Sequence, residues 1–147
     1  MSLDITELWF KRAVPTPTDD SLQVQLGVHL EEVAELVETL KGQSGLDEHM
    51  IRNLEAEVKV VAKALKTKNI RVYIADRKEF LDSVADQIVT GTGCGHMAGM
   101  NVPEALNRVN TSNFSKFDTN GFPIFDENGK IAKNLATYKK VDLTGLY

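Results

Sequence analysis

Apolar residues recur at helical spacing through the first 110 or so positions, and the rhythm is lost beyond them. Leu3, Ile5, Leu8, Trp9 and Val14 make a rough stripe that predicts a first helix over residues 2–13, ended by Pro15 and Pro17. Asp19, Asp20 and Ser21 are N-cap candidates for a long second helix over about 21–41. On it Leu22, Leu26, Leu30, Val33, Val37 and Leu40 recur as a core-facing wedge, and Gly42 follows it. A third helix fits 47–66, with Met50, Leu54, Val58 or Val61, and Leu65 on one side. Lys66 and Lys68 suit the negative end of its dipole. NIRVYIA (69–75) reads equally as a short strand or a loop. Asp76 opens a fourth helix over about 77–99, with Glu79 placed as in a capping box. Asn101, Pro103 and Glu104 start a fifth.

From Asn110 onward turn residues take over, and Asn128-Gly129 between PIF and KIAK predicts a hairpin. The expectation is an all-α bundle of about five helices, one domain over 1–147. It has a core over 21–110 and an irregular tail over 111–147 containing a short hairpin.

Composition narrows the function. The 147 residues carry a net charge of −4, which disfavours nucleic acid and anionic membranes as partners. The single Cys94 excludes an internal disulfide and suits a reducing compartment. MSLDITELWFKR lacks the apolar stretch of a secretory signal, and no apolar run is long enough to span a membrane. A soluble, cytoplasmic protein is expected.

The acidic residues are not spread evenly. HLEEVAELVETL places Glu31, Glu32, Glu35 and Glu38 on an otherwise apolar helix. Glu31, Glu35 and Glu38 share the side opposite the apolar wedge, and Glu32 sits on the flank beside Glu35. Val24 and Val28 lie on that same side, so it is expected to face another helix or subunit rather than plain water. Like charges buried together need a cation. On the fourth helix Asp82 and Asp86 stack four residues apart, and Gly91, Gly93 and Gly95 suggest close approach of a helix or ligand. Glu32 and Glu35 against Asp82 and Asp86 form a set of hard oxygen ligands suited to Mg²⁺ or Mn²⁺, and hence to a polyphosphate.

Other chemistries find less support. His29, His49 and His96 lack zinc-ligand spacing. Cys94 reads as a small residue at a helix contact. GTGCG follows no clear strand, and the chain has no GxxxxGK[ST].

HLEEVAELVETL, followed by DSVADQIVTGTG and then SNFSKFDTNGFPIFDENGKIAK, resembles the all-α nucleoside triphosphate pyrophosphohydrolase superfamily. The resemblance is to its MazG-like and phosphoribosyl-ATP pyrophosphohydrolase-like group, over residues 21–134. Glu31, Glu32 and Glu35 match the family's EExxE, and Asp86 the aspartate of its ExxD. Ser83 stands where that motif has glutamate, so Asp82 or Glu79 is the substitute ligand. The resemblance implies a Mg²⁺-dependent enzyme, with Mn²⁺ an alternative, that cleaves a (d)NTP to (d)NMP and pyrophosphate; a purine such as dGTP is one candidate. Glu31 or Glu35 would take the proton from the attacking water. Lys116 would face the phosphates with Lys130 and Lys133 behind it, and Asn113 would hydrogen-bond the substrate. A homodimer or homotetramer is implied. Two rival readings are a phosphoribosyl-ATP pyrophosphohydrolase of histidine synthesis and a non-enzymatic helical module docking a basic partner on its acidic face.

Overall fold

A computed structural model describes residues 2–147. Among these residues the chain is all-α, with five helices and no strand. They are α1 (Ser2–Ala13), α2 (Asp19–Glu38), α3 (Gly45–Lys66), α4 (Arg77–Met97) and α5 (Val102–Phe114).

Local chemistry sets the helix ends. Thr18, one residue before the expected candidates, caps α2: its side chain accepts from Ser21 N at 3.1 Å, and Ser21 Oγ accepts from Thr18 N at 2.7 Å. Ser44 and Asp47 repeat this reciprocal box on α3, at 3.1 and 3.0 Å. Asp76 caps α4 by accepting from Lys78 N and Glu79 N at 2.9 and 3.0 Å. Glu79 does not reciprocate as a box would; its carboxylate turns to Lys78 at 3.1 Å. α3 ends with Lys68 in the left-handed region (φ 61), where its ammonium meets Asp20 at 3.0 Å.

The chain packs as two compact units. One comprises the N-terminal stretch through Pro15, Tyr73–Ile124 and Ile131–Tyr147; the other comprises Thr16–Val72 with Phe125–Lys130.

In the first unit α1 packs on α5 around Trp9, Ala13 and Phe117, flanked by Phe10, Val14, Phe114 and Ile131. The rings of Trp9 and Phe117 stack at 5.8 Å and 3°. Trp9 satisfies its indole N–H on the Asn113 carbonyl at 2.9 Å. The tail has little regular structure of its own, so side chains of α5 satisfy part of its backbone. Ser112 Oγ donates to Lys139 O at 2.7 Å, Lys139 N donates to Ser115 Oγ at 2.8 Å, and Arg108 donates to the Asp142 and Thr144 carbonyls at 3.0 and 3.2 Å. α4 buries none of its residues: Leu81, Val84 and Ile88 are 70, 39 and 47 % exposed. A Cβ on Gly91 or Gly93 would meet nothing within 4 Å, against the close approach expected there; only Gly95 is tight, with Val102 Cγ2 at 2.1 Å.

The second unit is a hairpin of α2 and α3. Small residues are prominent in its contact, with Gln23, Val24 and Val37 of α2 buried beside them. Gly27 and Ala34 of α2 are buried, as are Ala62 and Leu65 of α3. At 100° per residue Gln23, Gly27, Glu31, Ala34 and Glu38 fall within a wedge of about 80°. The expected core wedge of Leu26, Leu30, Val33 and Val37 is rotated by roughly a quarter turn from it. Val37 is buried and Leu26 and Leu30 are half-buried, but Val33 is exposed. Close backbone approach, which only small residues permit, has outweighed the larger apolar side chains in setting the facing side. Arg52 ties the end of the hairpin by donating to the carbonyls of Val37 and Leu40 at 3.2 and 2.6 Å. The NIRVYIA segment is neither helix nor strand. Buried Gln23 holds its start, donating to Ile70 O at 2.7 Å and accepting from Val72 N at 3.2 Å.

Candidate functional site

The side of α2 that carries Glu31, Glu35 and Glu38 borders α3, as Val24 and Val28 imply, but only Glu31 is partly buried there; Glu35 and Glu38 are exposed, against the expectation of a shielded acidic face. The acids line a cleft of about 570 Å³, with Lys59, Lys63 and Lys66 of α3 as the opposite wall. Asp126, Asn128 and Lys130 line it from the turn at 126–130. The DENGK turn is the predicted hairpin turn. Asp126 Oδ1 accepts from Asn128 N and Lys130 N, both at 2.9 Å, and Gly129 takes the left-handed φ of 83° that the turn requires. DTNGF at 118–122 repeats the device: Asp118 accepts from Asn120 N and Phe122 N at 2.8 and 2.9 Å.

The two walls of the cleft form a ladder. Both triplets follow the i, i+4, i+7 spacing, and the helices run antiparallel, so Glu31 faces Lys66, Glu35 faces Lys63 and Glu38 faces Lys59. The outer rungs are closed, Lys66 on Glu31 at 2.5 Å and Lys59 on Glu38 at 3.1 Å. Lys59 also reaches Glu55 at 2.5 Å, and Glu55 in turn pairs with Arg52. The middle rung is open. Among the described residues neither the Glu35 carboxylate nor the Lys63 ammonium has an ion pair or hydrogen bond. Helical periodicity accounts for this: the i+4 residue lies some 40–60° further round its helix than the i and i+7 residues. On two antiparallel helices both middle residues are thereby displaced toward the same side of the contact.

Glu31 is the most constrained acid. It accepts from Lys66 at 2.5 Å and from Lys130 at 2.7 Å. Partial burial pushes its carboxyl upward, but Lys130 and then Lys66 outweigh that and hold it below the usual glutamate range. A carboxylate so held is a weak proton acceptor.

The structure thus brings together Glu31, Glu35 and Lys130 of the expected set. Glu32 is exposed and does not line this cleft. Asp82 and Asp86 stand exposed on α4, in the other compact unit, as does Glu79. Asn113, Lys116 and Lys133 also belong to that unit. There the Asn113 carbonyl receives Trp9, the Lys116 ammonium lies 5.7 Å from the Trp9 ring centroid, and that of Lys133 lies 5.0 Å from that of Tyr138. Among the described residues no three His, Cys, Asp or Glu side chains are grouped so as to hold a metal ion by themselves. Of the expected ligands only Glu35 lines the cleft, which fits Mg²⁺ solely in the mode where few carboxylates act together with substrate phosphates. Cys94 is exposed rather than packed in a helix contact.

Sequence reasoning missed Gly27 and the lysine wall. In the sequence Lys66 reads only as a counter-charge to the helix dipole, and Lys59 and Lys63 carry no signal of their own. The matching i, i+4, i+7 spacing of the two triplets was the available signal, visible once α2 and α3 are paired antiparallel.

The chain matches no family model, no curated protein and no solved structure. Among the described residues no helix is long and apolar enough to cross a membrane.

Proposed function

We propose that the chain is a Mg²⁺-dependent nucleoside triphosphate pyrophosphohydrolase that cleaves a (d)NTP to (d)NMP and pyrophosphate, a purine nucleotide such as dGTP being one substrate. The observation that carries this reading is the pairing of Glu31 with Lys130 at 2.7 Å. It joins the EExxE helix to the GKIAK turn, the two segments through which the sequence resembles that superfamily. Supporting it, the cleft offers carboxylates for a cation and ammonium groups for phosphate oxygens on facing walls.

In this reading Glu31, held ionised by two lysines, orients Lys66 and Lys130 toward the polyphosphate. Glu35 and Glu32 are the carboxylates left for the cation and for the proton of the attacking water. When bound, Mg²⁺ or Mn²⁺ supplies charge neutralisation and a water of lowered pKa. An acidic docking face for a basic partner is less well supported, because lysines already neutralise Glu31 and Glu38.

The test is a screen of the standard NTPs and dNTPs with Mg²⁺ and with Mn²⁺, with products identified. Monophosphate and pyrophosphate from at least one nucleotide is the expected result; no turnover of any of them rejects the reading.

A further inference from the structure

The open rung between Glu35 and Lys63 differs from its neighbours in one respect: its two exposed charges have no ion-pair or hydrogen-bond partner among the described residues. The cleft around it is balanced, with four carboxylates (Glu31, Glu35, Glu38, Asp126) and four lysines (Lys59, Lys63, Lys66, Lys130). A bare polyanion entering it meets the acids, and a bare dication meets the lysines. A ligand that presents a cation to one side and an anion to the other completes the rung without disturbing that balance. A divalent cation carried on a phosphoryl group has this character.

We infer that Lys63 is a phosphate-binding residue and that the Glu35–Lys63 gap is the seat of a metal-bound phosphoryl group, the cation toward Glu35 and the phosphate oxygens toward Lys63. The choice of a polyphosphate as the ligand rests on the hydrolase reading; the existence of the seat rests on the ladder alone. Lys66 and Lys59, one turn to either side, are held on Glu31 and Glu38, so Lys63 is the ammonium of α3 that reaches a ligand without first breaking an ion pair. Cation and anion each remove the repulsion the other would meet, so their binding is reciprocal and cooperative.

The experiment is calorimetric titration of the full-length protein with inorganic pyrophosphate, with and without Mg²⁺. It is run on wild type, Lys63→Gln, Lys63→Arg and, as a control on exposed α1, Lys11→Gln. Wild type should bind pyrophosphate about tenfold or more tightly with Mg²⁺ than without. Lys63→Gln should lose about tenfold or more of that affinity, the loss expected for a charge-assisted hydrogen bond, with an unchanged melting temperature. Lys63→Arg should retain most of the affinity, and Lys11→Gln all of it. Lys63→Gln binding like wild type overturns the inference, as does equal affinity without Mg²⁺ or no binding by wild type. The nucleotide screen separates the two proposals. Lys63-dependent binding without turnover of any nucleotide leaves the seat and rejects the hydrolase; turnover with Lys63→Gln binding unaltered does the reverse.

Discussion

Gly27 and Lys66 touch where α2 meets α3: a Cβ built on Gly27 would stand 2.6 Å from Lys66 Cγ and 2.9 Å from Lys66 N. The side-chain carbon can swing away, but the backbone nitrogen, and the Ala62 carbonyl at 2.8 Å, cannot move without displacing α3. Alanine would otherwise favour a helix interior by about 1 kcal/mol over glycine. Gly27→Ala should instead lower stability by about 1–3 kcal/mol through overpacking, read as a fall in the urea midpoint. A stabilised variant would mean that the two helices have slack at this contact.

The paired lysines make Glu31 a source of pH dependence. Its carboxyl in the folded chain lies below the ordinary value of 4.5. Its stabilising contribution is therefore fully present above about that value and is lost as pH falls through the folded value. The melting temperature of wild type should drop more steeply below pH 4.5 than that of Glu31→Gln, whose curve is flatter in the same window. Raising the salt concentration should narrow the difference, since the pairs are partly exposed.

On α4 the cap and the candidate ligands should separate. Asp76 accepts two backbone N–H groups, so Asp76→Ala should cost about 1 kcal/mol. Glu79 reaches only the exposed Lys78, so Glu79→Ala should leave the melting temperature unchanged. Asp82→Ala should weaken Mg²⁺ binding more than Glu79→Ala does, because Asp82 lies one helical turn from Asp86 and Glu79 two turns away on the same face. A metal titration with the reverse order assigns the ligand to Glu79.

Replacing Glu35 by glutamine removes the acid of the open rung and breaks no existing pair. Hydrolysis should fall at least about a hundredfold if a ligand for the cation is lost, while thermal unfolding stays within the scatter of wild type. Retained turnover would remove Glu35 from the site.

α4 exposes Leu81, Val84 and Ile88 along one stripe, an apolar face without cover among the described residues. A homo-oligomer should therefore form, with a mass by light scattering that is a multiple of 16.3 kDa. Ile88→Glu, placing a charge in the middle of that stripe, should shift the mass toward one chain. A wild-type mass near 16.3 kDa would reject assembly outright.

The helices were legible because each is bounded by capping or breaking residues and carries apolar positions at period 3.6. The facing side of α2 was not, since the pattern weights large apolar residues and this contact is built on Gly27, Ala34 and Ala62. The acids of the cleft were legible through EExxE. Their basic counterpart was not, because Lys59, Lys63 and Lys66 on a solvent-side helix look like ordinary surface until Glu31 and Glu38 are placed against them. In SNFSK the two serines turned out to tie the tail at Lys139, a packing role that a motif does not announce.

The closed rungs also work as a caliper. Lys66 on Glu31 and Lys59 on Glu38 bracket the gap, and Arg52 ties the hinge end by holding the carbonyls of Val37 and Leu40. A group that fits the jaws leaves both settings untouched; a bulkier one must prise a rung apart, and a smaller one bridges only half the span. For the ligand inferred at this rung, selectivity would then be a matter of gauge, set by two ion pairs that need never touch what is measured.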